Sequence, residues 1–245
     1  VEGRTNDTLV FLPAWNEEEN LPAVLDELHS ELPDVDILVV DDGSTDGTAG
    51  VAAARKATVL SFAANLGLPA AIAAGYSHAV EQGYTFCGRV DSDGQHPASE
   101  LKRLLERVRA DTCDVAIGSR FATGDGFEAR RYTSSPARRF GTSLLRRSMG
   151  VLLRRPFLDA TSGMYAANER ALPILALPYT SDAPEVQAIL RLHDAGLRVD
   201  EVPVHMRPRA SGESKLQGKK AVMLVVTVMA TLFAFVRVRH RFGRG

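Results

Sequence analysis

The feature that most constrains this chain is a rhythm in which short, nearly continuous apolar runs alternate with segments whose apolar residues recur at helical spacing. Leu9-Val10-Phe11-Leu12 opens it, followed by a predicted helix from about Glu17 to Leu32. The run Asp36 to Val40 comes next, and Asp46 stands where it can cap a helix reaching about Lys56. A weaker strand over Thr58 to Phe62, a helix over Pro69 to Gln82 and a strand over Tyr84 to Val90 continue the alternation. A helix from Ser99 to Arg109 and a strand from Asp114 to Ile117 complete it. Strands this apolar, separated by helices, imply an α/β fold with a mostly parallel sheet flanked by helices, which binds ligands beyond the carboxyl ends of its strands. The polar residues that follow each strand are therefore the place to look for chemistry.

With 245 residues, 45% of them hydrophobic, the chain is long enough for one domain with a substantial core. We divide it into a domain over residues 1–216 and a tail over 217–245. A net charge of -1 gives no overall attraction to nucleic acid, although a balanced total can conceal local patches. Cys87 and Cys113 lie far apart in apolar runs without metal or redox spacing and read as reduced core residues. The polar start, Val1 to Asp7, predicts neither a signal peptide nor an anchor at that end.

Three polar clusters follow three predicted strands: Pro13-Ala14-Trp15-Asn16-Glu17, Asp41-Asp42-Gly43-Ser44, and Asp91-Ser92-Asp93-Gly94-Gln95-His96. In a parallel sheet they converge on one edge. Two carboxylates two residues apart, beside glycine and just past a strand, suit a hard divalent cation such as Mg²⁺ or Mn²⁺ held together with a diphosphate. An Asp-x-Asp by itself is also a common turn. The two neighbouring clusters favour the metal reading.

These clusters, with Asn65-Leu66-Gly67, Gly118-Ser119-Arg120, Asp159-Ala160-Thr161-Ser162-Gly163, Glu201-Val202-Pro203-Val204 and Arg209 to Lys215, resemble family 2 glycosyltransferases, and within them the polyprenyl-phosphate sugar transferases. The likeness runs in order from about residue 8 to 216. It implies a GT-A fold in which Pro13, Ala14, Asn16, Glu17 and Asp42 hold the donor nucleoside. It further implies that Asp91, Asp93 and Gln95 bind the metal, with Asp93 in the catalytic centre and Asp91 also on the donor side. Arg209 and Lys215 match a basic loop that closes over the diphosphate, although read alone they suit a solvated loop better. Leu68-Pro69 stands where relatives often carry glycine, and Trp15 replaces the more usual tyrosine or phenylalanine.

Between Ala129 and Leu158 there are eight arginines and no acidic residue. Leu145, Met149, Leu152 and Leu153 fall at helical spacing within this stretch, which makes a basic amphipathic helix able to lie on anionic lipid or, alternatively, to pack on the sheet. The resemblance assigns Arg120, Arg139 and Ser143 to an acceptor phosphate. The uncharged segment from Ala221 to Val236 would span roughly 24 Å as a helix, short of a hydrocarbon core of about 30 Å. It suits a half-embedded or partner-docked helix better than a crossing one, and leaves room for a separate small membrane protein. Placement at the cytoplasmic face of a membrane, peripheral or monotopic, follows as an expectation.

The reaction expected is a single displacement with inversion from a UDP-, GDP- or dTDP-linked sugar to a lipid phosphate. Asp159 and Glu185 are the candidates for a base or an orienting group; alternatively, Asp159 caps a turn and Glu185 sits in the first turn of a helix after Pro184. His96 could contact the leaving phosphate or simply close a turn. Three rivals remain. They are a glycan hydroxyl as acceptor, which would need a working base; a catalytically silent membrane scaffold; and a nucleotidyltransferase, which would release pyrophosphate.

Overall fold

The computed structural model describes residues 6–124 and 136–207, with the backbone alone for 136–142 and 144. The chain runs β1 (Thr8–Ala14), α1 (Leu21–Glu31), β2 (Asp36–Asp41), α2 (Thr48–Ala54), β3 (Thr58–Ser61), α3 (Leu68–Gln82), β4 (Phe86–Arg89) and α4 (Ala98–Arg109). It continues with β5 (Val115–Ser119), α5 (Pro136–Leu153), β6 (Tyr165–Asn168), α6 (Leu172–Leu175), α7 (Pro184–Asp194) and β7 (Val199–Pro203). The strands form a single sheet in the order β3-β2-β1-β4-β6-β5-β7. Only the pairings of β6, with β4 and with β5, are antiparallel, so the sheet is mostly parallel, as the alternation predicts.

All seven residues of β1 are buried, because helices cover both faces of the sheet. Leu9 and Phe11 point into one core layer with α3, α5, α6 and α7, whereas Val10 and Leu12 point into the other with α1 and α4. Helix α3 lies so close to β1 that a Cβ on Gly75 would stand 2.2 Å from the Phe11 ring, and Tyr76 meets the same ring edge-on at 4.8 Å between centroids. Cys87 and Cys113 are both buried thiols.

The first helix begins at Leu21 rather than Glu17. The amides of Glu17 and Glu18 instead reach the side chains of Thr48 and Asp46, so tertiary hydrogen bonds hold these residues in a turn that would otherwise be the first turn of the helix. The N-cap of α2 is Gly47 rather than Asp46, and the helix ends at Ala54; Asp46, one residue ahead of the cap, accepts the Thr48 amide at 3.1 Å.

Because β6 runs against its neighbours, the segment that leads into it, Asp159 to Met164, arrives at the edge where β1, β2, β3, β4, β5 and β7 end. Helix α7 also begins there, and Glu185 lies in its first turn. The functional edge thus collects residues from six strand ends, one strand start and the start of α7.

Candidate active site

The loops after β1 and β2 are cross-linked into one platform. Asn16 adopts φ 53°, a left-handed conformation that asparagine tolerates. From there its amide donates to Ser44 Oγ at 3.0 Å and its Oδ1 accepts the Thr45 amide at 2.9 Å. The Glu17 amide donates to Thr48 Oγ1 (2.9 Å) while its Oε2 accepts from Asn20 Nδ2 (2.8 Å). Pro13 and Ala14 are buried; the Pro13 carbonyl accepts from Ser92 Oγ and the Ala14 carbonyl from the Asp42 amide.

Asp42 is also buried, and its Oδ1 accepts the Leu66 amide at 2.7 Å while its Oδ2 accepts the Gly67 amide at 2.9 Å. The loop after β3 is therefore held onto the platform by one carboxylate. At Gly43, φ is +66° and a Cβ would sit 2.4 Å from the Ala64 carbonyl carbon, so this close approach requires glycine. Leu68-Pro69 forms the first turn of α3, where proline lacks only an amide that has no helical partner anyway. Trp15, Leu66 and Leu68 remain exposed and give the platform an apolar rim.

Beyond β4, Asp91 is half-buried and Asp93 buried. Asp93 Oδ1 accepts the Gln95 amide at 3.1 Å, and the Asp91 amide donates to His96 Nδ1 at 3.0 Å. Burial lowers the His96 pKa against the pull of Asp91 and Asp93, in keeping with a neutral ring whose Nδ1 accepts a bond. His96 thus closes the turn. Gly163, brought in ahead of β6, lies against Asp91 so tightly that a Cβ would be 2.4 Å from Asp91 Oδ2.

The donor atoms fit a hard divalent cation: carboxylates from Asp91 and Asp93 and the Gln95 amide oxygen share one short loop. Among the described residues no group of three or more His, Cys, Asp or Glu side chains forms a complete metal cage. An open set of this kind suits a cation whose remaining ligands are substrate phosphates and water.

Two carboxylates near this loop are already engaged by arginine. Glu185 Oε1 accepts from Nη2 of Arg89 at 2.7 Å, and Arg89 is only 3% exposed. Asp159, fully buried, accepts from Arg120 three times: from its amide (3.0 Å), its Nε (2.8 Å) and its Nη2 (2.7 Å). Beneath it, Glu201 accepts the amides of Leu158 and Asp159 at 2.7 and 2.6 Å, and burial raises the pKa of that carboxyl. The charge inside an otherwise apolar run was the only sequence signal for Arg89, since a buried cation needs a partner. Glu201 lies in the segment Glu201-Val202-Pro203-Val204, whose pattern gives the carboxylate no role by itself.

Arg120 borders a second cationic side chain, one of the eight arginines between Ala129 and Leu158. Arg146, on α5, lies 4.2 Å over the Phe121 ring and donates to the Leu158 carbonyl at 2.8 Å. Ser143 is exposed on the same helix, and Arg139 lies in its backbone span. The apolar stripe of α5 does not face outward: Met149 and Leu153 are buried in the core, and Leu145 and Leu152 pack against it. This decides between the two readings of that helix in favour of sheet packing. Among the described side chains of α5, those exposed are Ser143, Arg147 and Val151, with Arg154 just beyond its end.

At the far end of the described chain, the Arg207 amide donates to the Gln95 carbonyl at 2.9 Å, and its guanidinium pairs with Glu27 at 2.6 and 3.0 Å. The chain therefore leaves β7 against the Asp91–His96 loop. Arg209, Lys215 and the apolar segment 221–236 lie outside the described residues. A cavity of about 300 Å³ walled by Leu153, Ile189 and Val199 lies at the opposite end of the strands, away from these groups.

Residues 9–171 match the family described as glycosyl transferase family 2. The chain belongs to that family. The glycosyltransferase is 36% identical over 228 residues to an undecaprenyl-phosphate mannosyltransferase of Micrococcus luteus, covering 90% of this chain and 91% of the relative. It is 33% identical over 223 residues to a polyprenol monophosphomannose synthase of Mycolicibacterium smegmatis, covering 87% and 82%. Glucosyl-3-phosphoglycerate synthase from Mycobacterium tuberculosis, solved with Mn²⁺, uridine diphosphate and phosphoglyceric acid, shares the fold of the glycosyltransferase with a TM-score of 0.71, at 21% identity and covering 94% of this chain and 78% of that one. The α/β architecture is thus that of GT-A enzymes. Among the described residues no helix is long and apolar enough to cross a membrane.

Proposed function

We propose that this glycosyltransferase moves a sugar from a nucleoside diphosphate-sugar to a polyprenyl phosphate, with inversion and with Mg²⁺ or Mn²⁺. The observation that carries the acceptor assignment is the state of the two candidate bases. Asp159 is buried under three hydrogen bonds from Arg120, and Glu185 is paired with the buried Arg89. Neither is set up to take a proton from a hydroxyl. A phosphate monoester needs no such base, because its second proton leaves near pH 6. The names of the two relatives point the same way, and both specify mannose as the sugar transferred.

In this reading, the platform of Pro13, Ala14, Asn16, Glu17 and Asp42 receives the nucleoside, and Asp91, Asp93 and Gln95 hold the metal against the diphosphate. The bound cation would neutralise charge that develops on the leaving diphosphate. Arg209 and Lys215 would add to that stabilisation from the chain that departs beside Gln95. Arg120, Arg139 and Ser143, joined by Arg146, would orient the acceptor phosphate. A phosphate oxygen of the lipid attacks the anomeric carbon as its bond to the diphosphate oxygen breaks, and the nucleoside diphosphate leaves. A lipid acceptor places the enzyme at a membrane surface, on the cytoplasmic face where nucleotide sugars are made. Residues 217–245 are proposed as a membrane-associated or partner-docking tail, leaving a separate small membrane protein as a candidate partner.

The test is transfer of radiolabelled sugar from UDP-, GDP- and dTDP-linked donors, mannosyl donors first, into organic-extractable polyprenyl phosphate, with metal or with EDTA. Label that enters lipid only with metal supports the reading and names the donor. Donor hydrolysis without lipid label would move the acceptor to a glycan hydroxyl, and the absence of both activities and of nucleotide binding would overturn the assignment.

A further inference from the structure

Behind Asp91 lies a cation to which the transfer reaction gives no task. Arg89 ends β4 and is 3% exposed; its Nη2 donates to Glu185 at 2.7 Å and stands 3.7 Å from Asp91 Oδ1. Its guanidinium carbon is 5.6 Å from the centroid of the buried Tyr165 ring, and its Nε has no hydrogen-bond partner among the described residues. Burying a guanidinium with an open donor is costly, and an apolar residue of similar volume would serve packing at least as well. The contribution of Arg89 therefore lies in the charge it places and the carboxylates it aligns.

We propose that Arg89 is a positioning residue of the metal site, which makes the site hold a divalent cation only in company with the diphosphate. The inference rests on the reading of Asp91, Asp93 and Gln95 as metal ligands. A buried positive charge directly behind Asp91 cancels part of the field that would attract a bare dication. The incoming metal and the guanidinium repel each other across one carboxylate. A nucleoside diphosphate brings negative charge to the open side of the metal and restores the balance, so metal and donor bind as a linked pair. Glu185 sets the strength of the effect, because its carboxylate accepts from the same Nη2 that faces Asp91 and so compensates the charge of Arg89.

That arrangement gives two substitutions effects of opposite sign. Removing the cation in Arg89→Gln should tighten binding of bare Mn²⁺, whereas removing its counter-charge in Glu185→Gln should loosen it, each on the order of tenfold at low ionic strength. Arg89→Lys keeps the charge and should keep the wild-type behaviour.

The experiment is titration of the full chain with Mn²⁺, followed by the paramagnetic signal of the free ion, with and without a saturating nucleoside diphosphate. The expected result is that the ratio of the two Mn²⁺ affinities falls in Arg89→Gln, is retained in Arg89→Lys and rises in Glu185→Gln. If Arg89→Gln does not fold, as judged by circular dichroism, the other two variants carry the test. Ratios that stay within about twofold of wild type, or that move in the same direction in the Gln variants, overturn the role of Arg89. Wild-type protein that takes up no Mn²⁺ even with the nucleotide overturns the metal-site reading itself, and this inference with it.

Discussion

Arg120 holds Asp159 from three directions, with its amide at 3.0 Å, Nε at 2.8 Å and Nη2 at 2.7 Å, so the carboxylate works as the seat of that guanidinium. Asp159→Asn preserves the shape and removes the charge. It should cost about 1–3 kcal/mol of stability and raise the acceptor KM roughly tenfold or more, because Arg120 is no longer aimed. A base at this position would show itself differently, as a collapse of kcat with KM unchanged; steady-state kinetics at varied lipid phosphate separates the two. Arg120→Ala leaves the buried Asp159 without its cation and should cost about 3–5 kcal/mol in denaturant unfolding.

Glycine-to-alanine changes at two positions should have distinct outcomes. A Cβ on Gly163 would meet Asp91 Oδ2 at 2.4 Å, and one on Gly75 would meet the Phe11 ring at 2.2 Å. Gly163→Ala should displace the carboxylate and raise the Mn²⁺ concentration needed for half-maximal activity, with little change in Tm. Gly75→Ala overpacks the core and should cost about 1–3 kcal/mol while leaving the metal requirement unaltered. Thermal melts and metal titrations of activity check both.

Asp93 lies buried in the loop where its Oδ1 holds the Gln95 amide. Asp93→Ala should lower lipid labelling by at least about 10³-fold, as expected for loss of transition-state charge stabilisation. EDTA should abolish labelling by the wild type, and added Mn²⁺ should restore it. The variant should stay inactive at every metal concentration.

Asp42 joins the first platform to the loop after β3 through the Leu66 and Gly67 amides. Asp42→Ala leaves those amides without their acceptor. It should raise the donor KM roughly tenfold or more while the acceptor KM is unchanged. Amide hydrogen exchange at Leu66 and Gly67 should accelerate in parallel.

Asp114 governs part of the acid stability. Burial alone would raise its pKa, but hydrogen bonds from the Arg198 amide and guanidinium and from Asn168, with the charge of Arg170, lower it from 3.8 to about 2. The unfolded chain then binds the proton more tightly than the folded one. Its stabilising contribution, on the order of 1–2 kcal/mol, is fully present above about pH 4 and is lost as the pH falls toward 2. Asp114→Asn should be less stable than wild type at pH 6 and should show a flatter decline between pH 4 and 2 in urea unfolding.

Much of the fold is legible along the chain because each β–α unit is local. The run Leu9 to Leu12 is apolar at every position since helices cover it on both sides, and the polar clusters follow their strands directly. Boundaries shifted where distant groups intervened, as at Glu17 and Glu18, whose amides bind Thr48 and Asp46 instead of opening the helix. The stripe of Leu145, Met149, Leu152 and Leu153 fits a lipid-facing and a core-facing helix equally well, since periodicity reports that a face is buried but not what buries it. Arg89 and Glu185 are 96 residues apart, and nothing in either local context announces their contact.

The sequence by itself determined that this is an α/β glycosyltransferase of family 2, because motif order and apolar period survive without knowledge of the packing. Only the tertiary structure decided which carboxylates are open and which are held by arginine. The reversal of β6 carries Asp159 and Gly163 to the edge where Arg120 and Asp91 wait, and the start of α7 sets Glu185 against Arg89. Those pairings depend on through-space distances of a few ångströms between segments far apart in the chain, and charge interactions follow that distance rather than sequence position.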